Sequence, residues 1–324
     1  FDDVKIENYF SSFNTYQIYT HYNLSFPNSN TSFKKSGNYF IKILDEYGEE
    51  LFRRKFILYE NLASVPIEIK RSREIEFINQ KQVVNFEINP INIEFNNPEK
   101  TVKVKVFKNN NLNYSIENIK PLYNIGKKLI YKYDDELSFW GGNEYLYFEN
   151  KFIRNTNIKI SGFDLGDIYS NFLYTHFARK DKKYTYQPDI NGSFLFSVNN
   201  SSEPEFEADY VNIYFSLKKP DNFNLQNKIY VIGEFNNYEI SDRYIVNFNP
   251  KSNIFETSLK LKQGFYNYKY VVVDLENKIL HGEIDGNFDE TENVYNVIVY
   301  YRNFGDRYDR VVGVGKGFSE YITN

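Results

Sequence analysis

The sequence predicts an all-β protein made of tandem immunoglobulin-like or early-set β-sandwich domains. Aromatic residues make up 19% of the chain, with Tyr and Phe at 30 each, and both suit the half-buried, pleated surface of a sheet. Short apolar runs alternate with polar residues, as in Val102-Lys103-Val104-Lys105-Val106, which turns one face of a strand to a core and the other to water. No segment sustains an apolar 3.6-residue period for four turns, so helices are expected only as single turns or short connectors.

The elements follow in order. Between residues 13 and 57 short aromatic and apolar runs are punctuated by Pro27-Asn28-Ser29-Asn30 and Lys35-Ser36-Gly37-Asn38, residue types that favour turns. Residues 37–44 and 51–59 read as a hairpin across Glu46-Tyr47-Gly48. About four strands fit here against the roughly seven of a complete immunoglobulin-like sandwich. The first domain, residues 1–62, is therefore expected to begin upstream of Phe1, and the chain, which opens on Phe1 rather than Met, reads as a processed or truncated fragment.

After a boundary at residues 61–66, strands are predicted at 67–69, 83–88, 103–107, 129–131, 144–148, 152–160 and 192–198, with Asn-, Gly- and Asp-rich loops between them. These make a middle domain over residues 63–200. Residues 199–207, reading NNSSEPEFE, combine small polar side chains, a proline and charge, and mark a linker. The C-terminal domain, residues 201–324, has strands predicted at 209–217, 228–233, 244–248, 254–261, 266–274 and 294–300.

With 324 residues the chain suits two or three domains of ordinary size. A net charge of -4, with basic and acidic residues interleaved, supplies no electrostatic footprint for nucleic acid. The absence of cysteine excludes disulfides, thiolate nucleophiles and cysteine-based metal sites. No apolar run approaches the roughly 18–20 residues of a membrane-spanning helix.

Chemistry-bearing motifs are sparse. His21, His176 and His281 stand apart, without a metal-ligand or nucleophile signature beside them. The stretch Glu283, Asp285, Asn287, Asp289, Glu290, Glu292 and Asn293 is rich in oxygen donors but lacks the glycine and terminal glutamate of an EF-hand loop, and reads as a solvated acidic hairpin. Gly313-Val314-Gly315-Lys316-Gly317 matches neither phosphate-loop spacing and reads as a flexible tail. No catalytic residue, metal ligand or cofactor site is assigned, and an enzyme is not expected.

Val231-Ile232-Gly233-Glu234-Phe235-Asn236-Asn237-Tyr238, followed by Gly264-Phe265-Tyr266-Asn267-Tyr268, resembles the early-set, glycogen-binding-like sandwich domain, with Tyr238 where that family usually has tryptophan. The resemblance implies an alternative function, a glycan-binding accessory module in which Tyr238 stacks on a sugar ring.

A longer series covers nearly the whole chain. It runs through Ser12-Phe13-Asn14-Thr15, Phe26-Pro27-Asn28, Ser36-Gly37-Asn38-Tyr39, Arg53-Arg54-Lys55-Phe56, Gly141-Gly142-Asn143-Glu144, Asp189-Ile190-Asn191-Gly192, Thr291-Glu292-Asn293-Val294-Tyr295 and Arg307-Tyr308-Asp309. In this order the segments resemble the type IX secretion plug family of Bacteroidetes. The resemblance implies a non-catalytic periplasmic protein that sits in the inner mouth of the outer-membrane β-barrel translocon, SprA, and closes the channel when no substrate occupies it. The partner-facing residues expected are Tyr301, Arg302, Phe304, Arg307 and Tyr308.

Overall fold

A computed structural model describes residues 5–29 and 31–322. Residues 1–4 lie outside the described residues, as do Asn30 of the first turn cluster and residues 323–324.

The chain is mostly β, in several sheets. The α-helices among the described residues are single turns, Pro98–Thr101 and Pro204–Glu207, and each begins at a proline, whose fixed φ and missing N–H are tolerated only in a first turn. The second lies inside the segment read as a linker.

Predicted strands largely match observed ones. Residues 103–107 become Val102–Lys108, 209–217 become Tyr210–Lys218, and 266–274 become Gly264–Val273. Two expectations are corrected. Residues 152–160 are mostly loop, and a strand begins only at Ile160–Leu165. Asn157 explains the delay, because its side-chain oxygen accepts the N–H groups of Lys159 at 2.8 Å and Ile160 at 2.9 Å, a local turn that competes with a strand ladder. The glycine-rich 313–317 segment is no tail. It lies within the strand Arg310–Phe318.

The chain folds into two compact units, each assembled from separated stretches of sequence. Unit 1 comprises Phe1–Ser25 with Gly142–Thr291, and unit 2 comprises Phe26–Gly141 with Glu292–Asn324.

In unit 1 the strands run side by side in the order Leu146–Glu149, Gly264–Val273, Lys228–Ile232, Ile245–Asn249, Ile254–Lys262, Tyr210–Lys218, Tyr169–Leu173 and Ile160–Leu165. All neighbours are antiparallel except Tyr169–Leu173 with Tyr210–Lys218, which run parallel. The sheet curls into a nearly closed, barrel-like form. Phe148 from one end of the order and Ile160 and Leu173 from the other share a single core with Val211, Ile213 and Phe215.

In unit 2 two antiparallel layers face one another. One is centred on Lys81–Pro90, flanked by Ile67–Arg71, Lys128–Tyr131 and Ser138–Trp140. The other runs Arg310–Phe318, Val294–Tyr301, Val102–Lys108 and Ser115–Glu117. Alternate residues of both layers, among them Val84, Phe86, Ile88, Val104, Val106, Val297 and Val299, fill the core between them. Gly313, Gly315 and Gly317 recur every second residue on the inner face of their strand. A Cβ at Gly315 would stand 2.3 Å from the Val65 carbonyl oxygen, and one at Gly317 would stand 2.6 Å from Ile67 Cγ2. The glycines therefore let the chain at residues 63–67 cross that strand at backbone distance.

Candidate docking surface

The strands Gly37–Leu44 and Glu50–Leu58 form an antiparallel ribbon with Tyr39 opposite Phe56, Ile41 opposite Arg54 and Ile43 opposite Phe52. The turn joining them is held by Asp45, whose side chain accepts the N–H groups of Tyr47 at 2.9 Å and Glu49 at 2.8 Å. Gly48, at φ +82°, supplies the left-handed residue that closes it. Among the described residues no third strand pairs with the ribbon.

The ribbon carries apolar side chains on both faces. Tyr39, Ile41 and Ile43 alternate with Phe40 and Leu44, and Phe40, Leu44, Leu51 and Phe52 are all exposed, with Tyr47 at the tip 83% exposed. A strand apolar on both faces is the pattern of one covered on both sides, and a lone two-stranded ribbon is marginal in water unless something packs on it.

Its base, by contrast, is fixed. Phe33 packs edge-on to Tyr39 and Phe56, which stack at 5.3 Å. The Tyr300 hydroxyl and Asn38 Oδ1 are 2.9 Å apart. Glu60 accepts two hydrogen bonds from the Arg310 guanidinium, at 3.1 and 2.5 Å, and one from Ser36 at 2.7 Å. The Arg310 hydrogen bonds pull the Glu60 carboxyl below the usual carboxylate range against the opposing effect of its partial burial. The result is a rigid root carrying an apolar, solvent-facing ribbon, and the exposed rings are partly screened by their own cations, Arg53 over Phe40 and Arg54 over Phe52.

The residues singled out from sequence are divided by the structure. Arg302, Phe304 and Arg307 stand exposed on the loop between Val294–Tyr301 and Arg310–Phe318, with Phe304 fully exposed. Tyr308 is half-buried under the Lys35 ammonium, 4.7 Å from its ring centroid. Tyr301 is corrected. It is 3% exposed in the core of unit 2, its ring 5.2 Å from Phe95, because it is the last inward-facing position of its strand.

Tyr238 is corrected too. Its ring is 5% exposed, clustered with Tyr145, Tyr230 and Ile232, and burial pushes its hydroxyl well above the usual tyrosine range. A ring enclosed in this way offers no face to a sugar.

The acidic stretch is engaged internally. Asp285 accepts from Arg179 Nε at 2.8 Å and lies 3.1 Å from His176 Nε2, while Lys180 pairs with Glu283 at 3.0 Å. No cluster of three or more His, Cys, Asp or Glu side chains suited to a metal ion occurs among the described residues.

Sequence reasoning located the ribbon as a hairpin but did not single out its side chains. The signal was present in Tyr39-Phe40-Ile41-Lys42-Ile43-Leu44, whose apolar residues occupy both parities.

No curated protein matches the chain. Residues 1–60 match the family model of the type 9 secretion system plug protein 1st domain. The match includes the whole ribbon, and its residues divide between unit 1, up to Ser25, and unit 2, from Phe26. Among solved structures, a hypothetical protein from Parabacteroides merdae is similar over 98% of this chain and 81% of that one, at 28% identity and a TM-score of 0.93. No helix among the described residues is long and apolar enough to cross a membrane.

Proposed function

We propose that this chain is a non-catalytic plug of the type 9 secretion system, a periplasmic protein that docks on the periplasmic opening of the outer-membrane translocon barrel SprA and closes the channel when no substrate is engaged. One observation carries the reading: the plug-domain match falls on the segment that presents a ribbon apolar on both faces from a rigid root. Exposed aromatic and aliphatic groups on a preorganised support lose little entropy on association and make effective interface anchors. Arg302, Phe304 and Arg307, on an exposed loop, form a second contact set in this proposal.

The test is affinity purification of the tagged protein from detergent-solubilised outer membranes of its own organism, with mass spectrometry of the eluate. Recovery of a very large β-barrel is expected, and its absence from repeated clean preparations would remove the plug reading.

Two variants refine it. Replacing Phe40, Tyr47 and Leu51 together with serine is expected to abolish co-elution of the barrel, with the unfolding midpoint close to that of the wild type, since substitutions at exposed sites usually change stability by no more than about 0.5 kcal/mol each. Arg302→Glu with Arg307→Glu is expected to weaken co-elution in a salt-dependent manner. Undiminished recovery with either variant would strike the corresponding residues from the interface.

A further inference from the structure

Unit 1 carries a groove unrelated to the ribbon. Strand registers place Asp164 opposite Ser170, Ser170 opposite Asn212, and Asn212 opposite Lys260, so these four side chains form one row across four strands. The next row along, Asn171, Ile213 and Leu259, is buried on the other face, as the period of two requires. The polar row is thus the outer surface of a sheet whose inner surface is the core, which makes it a rigid floor.

Over this floor lies a cavity of about 460 Å³ bounded by Ser170, Asn212 and Lys260 below and by Tyr16, Gln17 and Asp167 at its sides. Its volume lies within the range of small-ligand sites. Tyr16 is held in place from three directions. Its N–H donates to Asp209 Oδ1 at 2.6 Å, its hydroxyl accepts from Arg154, and its ring meets Tyr169 edge-on at 5.1 Å. The Arg154 guanidinium lies over the ring, 5.4 Å from its centroid, yet Tyr16 as a whole stays 44% exposed. Gln17 accepts from Lys260 Nζ at 3.3 Å.

The chemistry of the lining selects the ligand class. The charges of Asp167 and Lys260 cancel, which disfavours phosphate and polyanions. The lining is dominated by amide, hydroxyl, carboxylate and ammonium groups, which disfavours an apolar ligand, whose burial would leave them unpaired. What fits is a neutral molecule with many hydroxyls and one apolar face, able to lie on a fixed aromatic ring while its hydroxyls bridge donors and acceptors. We infer that the groove of Tyr16, Asp167, Ser170, Asn212 and Lys260 binds a neutral oligosaccharide. This site is separate from Tyr238 and independent of translocon docking.

The experiment is saturation-transfer NMR and calorimetry of the full chain against neutral oligosaccharides of glucose, mannose, galactose and N-acetylglucosamine, with sulfated and uronic-acid oligosaccharides alongside. Binding to at least one neutral oligosaccharide is expected. It should weaken about tenfold in Asn212→Ala and in Asp167→Ala, the scale of one lost hydrogen-bonding group, and persist in the ribbon variant Tyr47→Ser. Asp167 is exposed, so its variant reports on binding even if Asn212→Ala lowers stability. A flat response across the neutral panel, preference for the anionic oligosaccharides, or full binding by Asp167→Ala would each overturn the assignment.

Discussion

Gly315→Val is expected to prevent unit 2 from reaching its native packing, lowering the unfolding midpoint in urea or abolishing the cooperative transition. The added Cβ would stand 2.3 Å from the Val65 carbonyl oxygen and 2.8 Å from Val65 Cβ. The obstacle includes backbone, which a rotamer change cannot move aside. Gly315 cannot retreat either, because its strand is paired in register with Val294–Tyr301, with Gly315 opposite Val297. Overpacking of a core costs about 1–3 kcal/mol and occasionally more, and the upper part of that range applies where main chain meets main chain. Against a typical total of about 5–15 kcal/mol the loss is severe. Gly162→Ala is the control. It has nothing closer than 3.8 Å to the new Cβ and is expected to change stability by no more than about 0.5 kcal/mol. Equal midpoints for Gly315→Val and wild type would refute the close-crossing account of the glycine row.

Asp285→Asn is expected to cost about 3–5 kcal/mol at neutral pH, the range for breaking a buried ion pair from one side. The Asp285 side chain is 9% exposed and Arg179 18%, so the substitution leaves the guanidinium largely buried beside a neutral amide. Burial pushes the Asp285 carboxyl up, but the hydrogen bond with His176 and the charge and hydrogen bond of Arg179 outweigh it and hold it at about 2. The folded value thus lies below the ordinary 3.8. The sign follows from linkage: the pair's contribution is present above about pH 4 and is lost as pH falls toward 2. Urea unfolding at pH 7 and at pH 3 measures both effects. The wild type should lose stability between the two, and Asp285→Asn should lose less. A variant as stable as wild type at pH 7, or with the same acid dependence, would show that the pair contributes little to holding residues 176–180 against 283–285.

Much of the candidate surface was within reach of the sequence. The hairpin at residues 37–59 was predicted with its turn, since Asp45 and Gly48 carry local conformational preferences that need no distant partner. Arg302, Phe304 and Arg307, singled out from the sequence, are exposed. Tyr301 and Tyr238 were misplaced for one shared reason. A tyrosine suits an interface and a core equally well, and which of the two it occupies depends on what the rest of the chain packs against it, as Phe95 does for Tyr301 and Tyr145 for Tyr238.

What the sequence alone determined is local: the all-β character, the position of most strands, the restriction of α-helices to single turns, and the alternation that sends Val102, Val104 and Val106 inward. Tertiary structure alone decided the pairing. Val102–Lys108 finds its neighbour in Val294–Tyr301, and the strands at the two ends of the unit 1 sheet meet in one core. It also decided that Gly313, Gly315 and Gly317 form a packing surface. The physical reason is that a period of two reports which face of a strand is dry. It does not report which strand will supply the hydrogen bonds, because every strand offers the same backbone N–H and C=O groups.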